Sequence, residues 1–131
     1  MIVKNISFGD EARQALIQGI NKIADAVKTT LGARGNTVLI ESEQHVGGIT
    51  ITKDGVTVAN SINLMDPTEN LAVMMMKEAS SKTATEAGDG TTTAIVLAQA
   101  VIHEWEKRVK KQMNQTEIIR AIQKSGEYVV E

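Results

Sequence analysis

The stretch Gly88-Asp89-Gly90-Thr91-Thr92-Thr93 divides the chain: a long helical pattern ends before it, and an apolar run with helical spacing begins after it. It places an acidic residue between two glycines and follows it with three hydroxyls. Glycine lets backbone N–H groups approach an anion closely, and hydroxyls at a helix N-terminus sit where free N–H groups and the dipole favour negative charge. Asp89 repels a phosphate unless a hard cation such as Mg²⁺ lies between them. Taken alone, the stretch fits a plainer reading better. Gly88 ends one helix, Asp89 caps the next, and the threonines form a solvated first turn.

On the N-terminal side, Asp66-Pro67-Thr68-Glu69 opens the preceding helix, with Asp at the N-cap, Pro at the first helical position and Glu in the capping-box place. Ala72, Met75, Met76, Ala79 and Thr83 then form its expected apolar face, and the helix ends near Gly88. On the C-terminal side, Ala94, Leu97, Ala98, Val101, Trp105 and Val109 mark a third helix. Its first half is apolar on nearly every face and is expected to be central. Lys107, Arg108, Lys110 and Lys111 at its end read as a solvated turn complementing the dipole. Asn114 with Glu117 repeats the capping pattern, and Ile118, Ile119, Ile122 and Val129 carry a fourth helix. No stop signal follows it, so the native frame is expected to continue past Glu131.

Nearer the N-terminus, Ala12, Leu16, Ile20, Ile23, Val27 and Leu31 recur at helical spacing over residues 10–31, with Asp10 and Glu11 at the start and Gly32 just past the end. Gly32-Ala33-Arg34-Gly35 is a tight connection to the β-branched run Thr37-Val38-Leu39-Ile40. A second run, Ile49-Thr50-Ile51-Thr52, follows a polar link containing Gly47-Gly48, so the pair reads as a hairpin with a mobile tip. A two-stranded ribbon is marginal by itself and is expected to project or to pair with another chain. Lys53-Asp54-Gly55 admits two readings: a turn before a further strand, or an Asp54 N-cap for a short helix from Val56 to Ile62.

The fold class is therefore mainly α, a multihelical bundle of four main helices with a small β-hairpin. At 131 residues and 42% hydrophobic, the chain suits a single domain with a real core. Aromatics are only 2% and the net charge is −2, which disfavours base stacking and electrostatic duplex binding. Without cysteine there are no disulfides or thiolate metal sites, which fits a reducing compartment. The N-terminus lacks a secretion-signal pattern and no apolar run reaches membrane-spanning length, so a soluble, cytoplasmic protein with no membrane partner is expected.

Asp54-Gly55, Asp89-Gly90 and the Leu31-Gly32 helix end are loop elements at the ends of helices, and they can converge on one ligand. The pattern G-x-x-x-x-G-K-[ST] is absent, and Gly88-x-Gly90 lacks the third glycine and preceding strand of a dinucleotide fingerprint. A nucleotide site here is of another design.

The segments Thr30-Leu31-Gly32, Thr52-Lys53-Asp54-Gly55-Val56, Ala87 to Ala94 with Val96-Leu97-Ala98, and Met113-Asn114 resemble group I chaperonins, the 60 kDa bacterial and organellar ring type. The similarity runs in order from about Lys4 to the last residue. It implies that residues 1–131 are a single partial domain, the N-terminal half of an equatorial ATP-binding domain, with the intermediate and apical domains absent. It further implies that Thr30, Leu31, Gly32 and Ala33 line ATP and that Lys53 lies beside it. Asp89 would hold Mg²⁺ while Gly90, Thr91, Thr92 and Thr93 cradle the phosphates. Asp54 would act as the catalytic residue, positioning the attacking water; K⁺ is a further candidate ion.

By the same resemblance the partners are other subunits of a ring, the hairpin adding strands to a neighbour's sheet. Unfolded clients and a co-chaperonin would engage only through the absent domains, and no nucleic acid is implied. The family is a Mg-dependent ATPase that drives protein folding. This chain alone is expected to be catalytically incomplete, since the second equatorial half supplies another aspartate. Two departures stand out: Ala33 replaces the usual Pro, and a basic residue common before Asn36 is missing, leaving a shorter, looser loop. Two other functions compete: a small non-catalytic helical interaction protein, and a KH-like RNA module suggested by Gly32-x-x-Gly35. In a KH module that loop joins two helices; here a strand is expected to follow.

Overall fold

Helix α1 (Gly9–Lys28) begins with Asp10 and Glu11 in its first turn and ends with Lys28 in its last, charges that complement the helix dipole. We analysed a computed structural model describing residues 6, 8–41, 48–111 and 114–130. In it, β1 (Val38–Glu41) and β2 (Ile49–Thr52) follow α1, then α2 (Gly55–Ser61), α3 (Pro67–Ala87), α4 (Thr91–Lys110) and α5 (Gln115–Val130). The four long helices and the hairpin are those the sequence predicts, and α2 is the short fifth helix. The link between the strands, expected as a mobile tip, and Met113 lie outside the described residues.

The chain divides into two units, Met1–Gln99 and Ala100–Glu131. In the first, α1 packs on α3 and α2, and α2 also touches β1. The core comprises Ile17, Ile20, Ile23, Ala24 and Val27 of α1, Val58 and Ala59 of α2, Ala72, Val73 and Met76 of α3, and Ile95 of α4. Where α1 crosses α3 the backbones nearly touch: a Cβ on Gly19 would overlap the Glu69 carbonyl oxygen and stand 3.0 Å from the Ala72 Cβ. Lys22 Nζ donates to Glu69 Oε2 beside this crossing.

The crossing also corrects the expected face of α3. Ala72, Val73, Met76 and Ser80 are buried, whereas Met75 is 61% exposed and Ala79 lies outside. Small Ala72 admits the close approach, and the Ser80 hydroxyl meets its own need by donating to Lys77 O at 3.0 Å. In α4 the expectation of a central first half is likewise replaced by one buried stripe, Thr91, Ile95 and Gln99. Leu97 and Val101 on its other faces are 60% and 45% exposed.

The hairpin is antiparallel, pairing Val38 with Thr52, Leu39 with Ile51, Ile40 with Thr50 and Glu41 with Ile49. With side chains alternating across a strand, Leu39, Ile49 and Ile51 share one face, and all three are exposed. In the second unit the C-terminal half of α4 carries Glu104 bonded to both Lys107 and Arg108. In α5, Asn114 Oδ1 accepts from Thr116 N at 2.9 Å, and Ile118 is buried.

Candidate functional site

The residues around Asp54 decide between the two readings of Lys53-Asp54-Gly55. Asp54 is the N-cap of α2: Oδ1 accepts from Val56 N at 3.3 Å, and Oδ2 accepts from Thr57 N at 3.0 Å and from the Thr57 hydroxyl at 2.6 Å. The hairpin-turn alternative is lost because the Val56-Thr57-Val58 run turns helically and buries Val58 and Ala59. The Thr57 hydroxyl, followed by the Thr57 and Val56 amides, holds the Asp54 carboxyl below the usual carboxylate range. Asp54 is thus an anion at neutral pH. Each carboxylate oxygen has two lone-pair sites, so Oδ1, with one donor, retains room for a water. At the other end of α2, Lys77 Nζ donates to Asn60 O and Ile62 O at 2.9 and 2.7 Å, holding the carbonyl terminus.

Gly55 joins three separate pieces of chain. It is buried, and a Cβ there would overlap Thr92 Oγ1 and lie 2.8 Å from Thr30 Oγ1. The structure therefore brings together the end of α1, the start of α2 and the start of α4. Thr30 is the first residue beyond the α1 cap, and its hydroxyl donates to Val27 O at 2.7 Å. Leu31, Gly32 and Ala33 follow as exposed residues of a turn that closes on itself, Gly35 N donating to Gly32 O at 3.0 Å and Asn36 N to Thr29 O at 2.7 Å. Lys53 is exposed immediately before Asp54.

The loop before α4 has the backbone its composition predicts. Gly88 closes α3 at φ 77°, its N–H donating to Ala84 O, and Gly90 follows at φ 93°. Both lie in the left-handed region that side chains disfavour. The first α4 amide with an intrahelical acceptor is Ala94, bonded to Gly90 O at 2.8 Å. The amides of Thr91, Thr92 and Thr93 precede it and form the free N-terminal turn of the helix. Asp89 is exposed, and its Oδ1 accepts from Gly90 N at 2.6 Å.

These groups fit a phosphate and a hard cation. Three helix-start amides and the threonine hydroxyls supply donors, and the Asp89 carboxylate supplies one hard oxygen ligand. Among the described residues no three His, Cys, Asp or Glu side chains cluster, so a cation here would take Asp89 together with phosphate oxygens. Sequence reasoning quoted Gly55 in its motif and left it out of the site. Its signal was the Asp-Gly pair, which the turn reading absorbed.

Fold and site define a mainly helical domain with a hairpin at one loop and a glycine-flanked, hydroxyl-rich helix start. The model of the TCP-1/cpn60 chaperonin family matches residues 23–131, and the chain belongs to that family. Among solved structures it is similar to the chaperonin gp146 of bacteriophage EL 2 (Pseudomonas aeruginosa), determined in the presence of ATP-BeFx, with 37% identity and a TM-score of 0.68. That match covers 76% of this chain, and this chain spans 18% of the phage protein. Among the described residues no helix is long and apolar enough to cross a membrane.

Proposed function

We propose that this chain is the ATP-binding part of a group I chaperonin equatorial domain, working in a ring with other subunits to drive protein folding. The observation that carries the reading is the convergence on Gly55 of Thr30 and Thr92, two of the residues the resemblance places around the nucleotide. Thr30, Leu31, Gly32 and Ala33 line one side of the nucleotide and Lys53 lies beside it. The amides and hydroxyls of Thr91, Thr92 and Thr93, with Gly90, receive the phosphates. Asp89 holds Mg²⁺, which offsets phosphate charge when bound. Asp54, anionic and already oriented by Thr57, accepts a hydrogen bond from the attacking water.

The exposed Leu39–Ile51 hairpin face pairs with a neighbouring subunit. Clients and co-chaperonin bind through domains other than this one. Calorimetric titration of the chain with ATP, with and without Mg²⁺, tests the site. Saturable Mg-dependent binding that falls about tenfold or more in Asp89→Asn is expected. Asp89 Oδ1 accepts from Gly90 N and caps no α4 amide, so wild-type binding by that variant would remove Asp89 from the site.

A further inference from the structure

We infer that Gln99 is a positioning residue for the proposed nucleotide site, holding the start of α4 in register with the end of α1; the inference rests on that reading of the site. Gln99 is only 3% exposed, on the α4 stripe that also carries Thr91 and Ile95. Its Nε2 donates to Asn21 Oδ1 at 2.9 Å and to Asp25 Oδ1 at 3.1 Å. Asn21 and Asp25 stand one turn apart on α1. Two bonds from one amide to successive turns fix both the rotation of α4 and its position along α1.

An apolar side chain at this place would pack in several rotations. An amide in a buried site is penalised whenever it loses its acceptors, so only one rotation is favoured. Along α1 the clamp stands about 8 Å back from Thr30, and along α4 about 10 Å back from Thr92, at about 1.5 Å per residue. Those are the two residues whose hydroxyls flank Gly55. Turning α4 by one residue, about 100°, would carry Thr92 away from Gly55 and misdirect the free amides beside it.

Gln99→Glu sets a carboxylate against Asp25. Adding Asp25→Asn exchanges donor and acceptor, and Asn21 can turn its amide to donate as well. The measurement is calorimetric Mg·ATP affinity of the 131-residue chain, with far-UV circular dichroism recorded at the same temperature. Gln99→Glu should weaken binding about tenfold at unchanged helix content, and Gln99→Glu/Asp25→Asn should return it to within about threefold of wild type. Gln99→Met, of similar length and lacking the donor, should also lose about tenfold and serves where the glutamate variant loses helix content. Wild-type affinity in the folded single variants, or a double variant no tighter than Gln99→Glu, overturns the inference and leaves the site reading standing. A wild-type chain without saturable Mg·ATP binding overturns the site reading and the inference together.

Discussion

The Thr92 hydroxyl occupies the space that a β-carbon on Gly55 would need. Gly55→Ala therefore forces α2 and α4 apart at the place where the Thr30 hydroxyl also arrives. Overpacking of this kind costs about 1–3 kcal/mol, read as a lower urea midpoint. Adding Thr92→Ala should recover part of that loss. Independent, additive effects of the two substitutions would show that the side chains do not meet.

Asp54 is both a cap and the proposed orienter of the attacking water, and Asp54→Asn separates the two roles because Asn caps about as well. In a chaperonin completed by grafting residues 1–131 onto a compatible remainder, the variant should bind Mg·ATP within about threefold of wild type and turn over about 10²- to 10⁴-fold more slowly. Equal losses in binding and turnover would assign Asp54 to the ground-state site. The ungrafted chain should hydrolyse ATP negligibly, since in-line attack needs charge stabilisation from several directions.

The depressed Asp54 pKa also sets a pH dependence. Its folded value lies below the unfolded value of about 3.9, so its contribution to stability is present above about pH 4 and is lost as pH falls through the folded value. The urea midpoint of wild type should fall relative to that of Asp54→Asn between pH 6 and pH 3. A gap that stays constant across this range would mean that the Thr57 bonds do not favour the ionised form.

Asp66 caps α3 by accepting from Thr68 N at 3.0 Å and Glu69 N at 2.8 Å with Oδ1. Asp66→Ala should cost about 1 kcal/mol and Asp66→Asn almost nothing, both measured by urea unfolding. This start was legible in the sequence because every residue it uses is local. Asp54 offered the same chemistry yet stayed ambiguous, since an Asp-Gly pair serves a turn as readily as a cap. What decided it was distant: the helical turn buries Val58 and Ala59, with α2 packed on α1.

The same boundary runs through the rest of the molecule. Residue type alone marked the glycine-flanked Asp89 and its threonines as a helix end and a new helix start; their reading as a phosphate site, like that of Thr30, entered through a family resemblance, because nothing local marks a threonine at a helix end. Periodicity found α3 and misjudged its face, turning Met75 and Ala79 inward where Val73 and Ser80 are buried, because the inward side is chosen by the α1 crossing at Gly19. Nothing local marks Gln99; the partners that accept its hydrogen bonds lie on α1, separated by 78 and 74 positions.

Self-association should originate from the hairpin and the open helix faces. Of the three isoleucines of α5, Ile118 is buried and Ile122 half-buried, which leaves Ile119 exposed. Leu39, Ile49 and Ile51 instead expose a paired apolar face, and such faces usually find a partner. Light scattering at micromolar concentration should show oligomers, reduced by Leu39→Thr/Ile51→Thr. A monodisperse monomer in the wild type would leave that face without a role in assembly.

At the α1–α3 crossing no side chain separates the two backbones, because Gly19 presents only hydrogen to the Glu69 carbonyl. The crossing is therefore set by main-chain contact rather than by the rotamers around it. Ile17, Ile20 and Val73 can exchange among aliphatic residues over evolutionary time while the helices keep their angle, provided total volume is kept. Position 19 has no such latitude: any other residue wedges the helices apart, so a lineage can rewrite most of this core and still inherit its geometry through a single missing carbon.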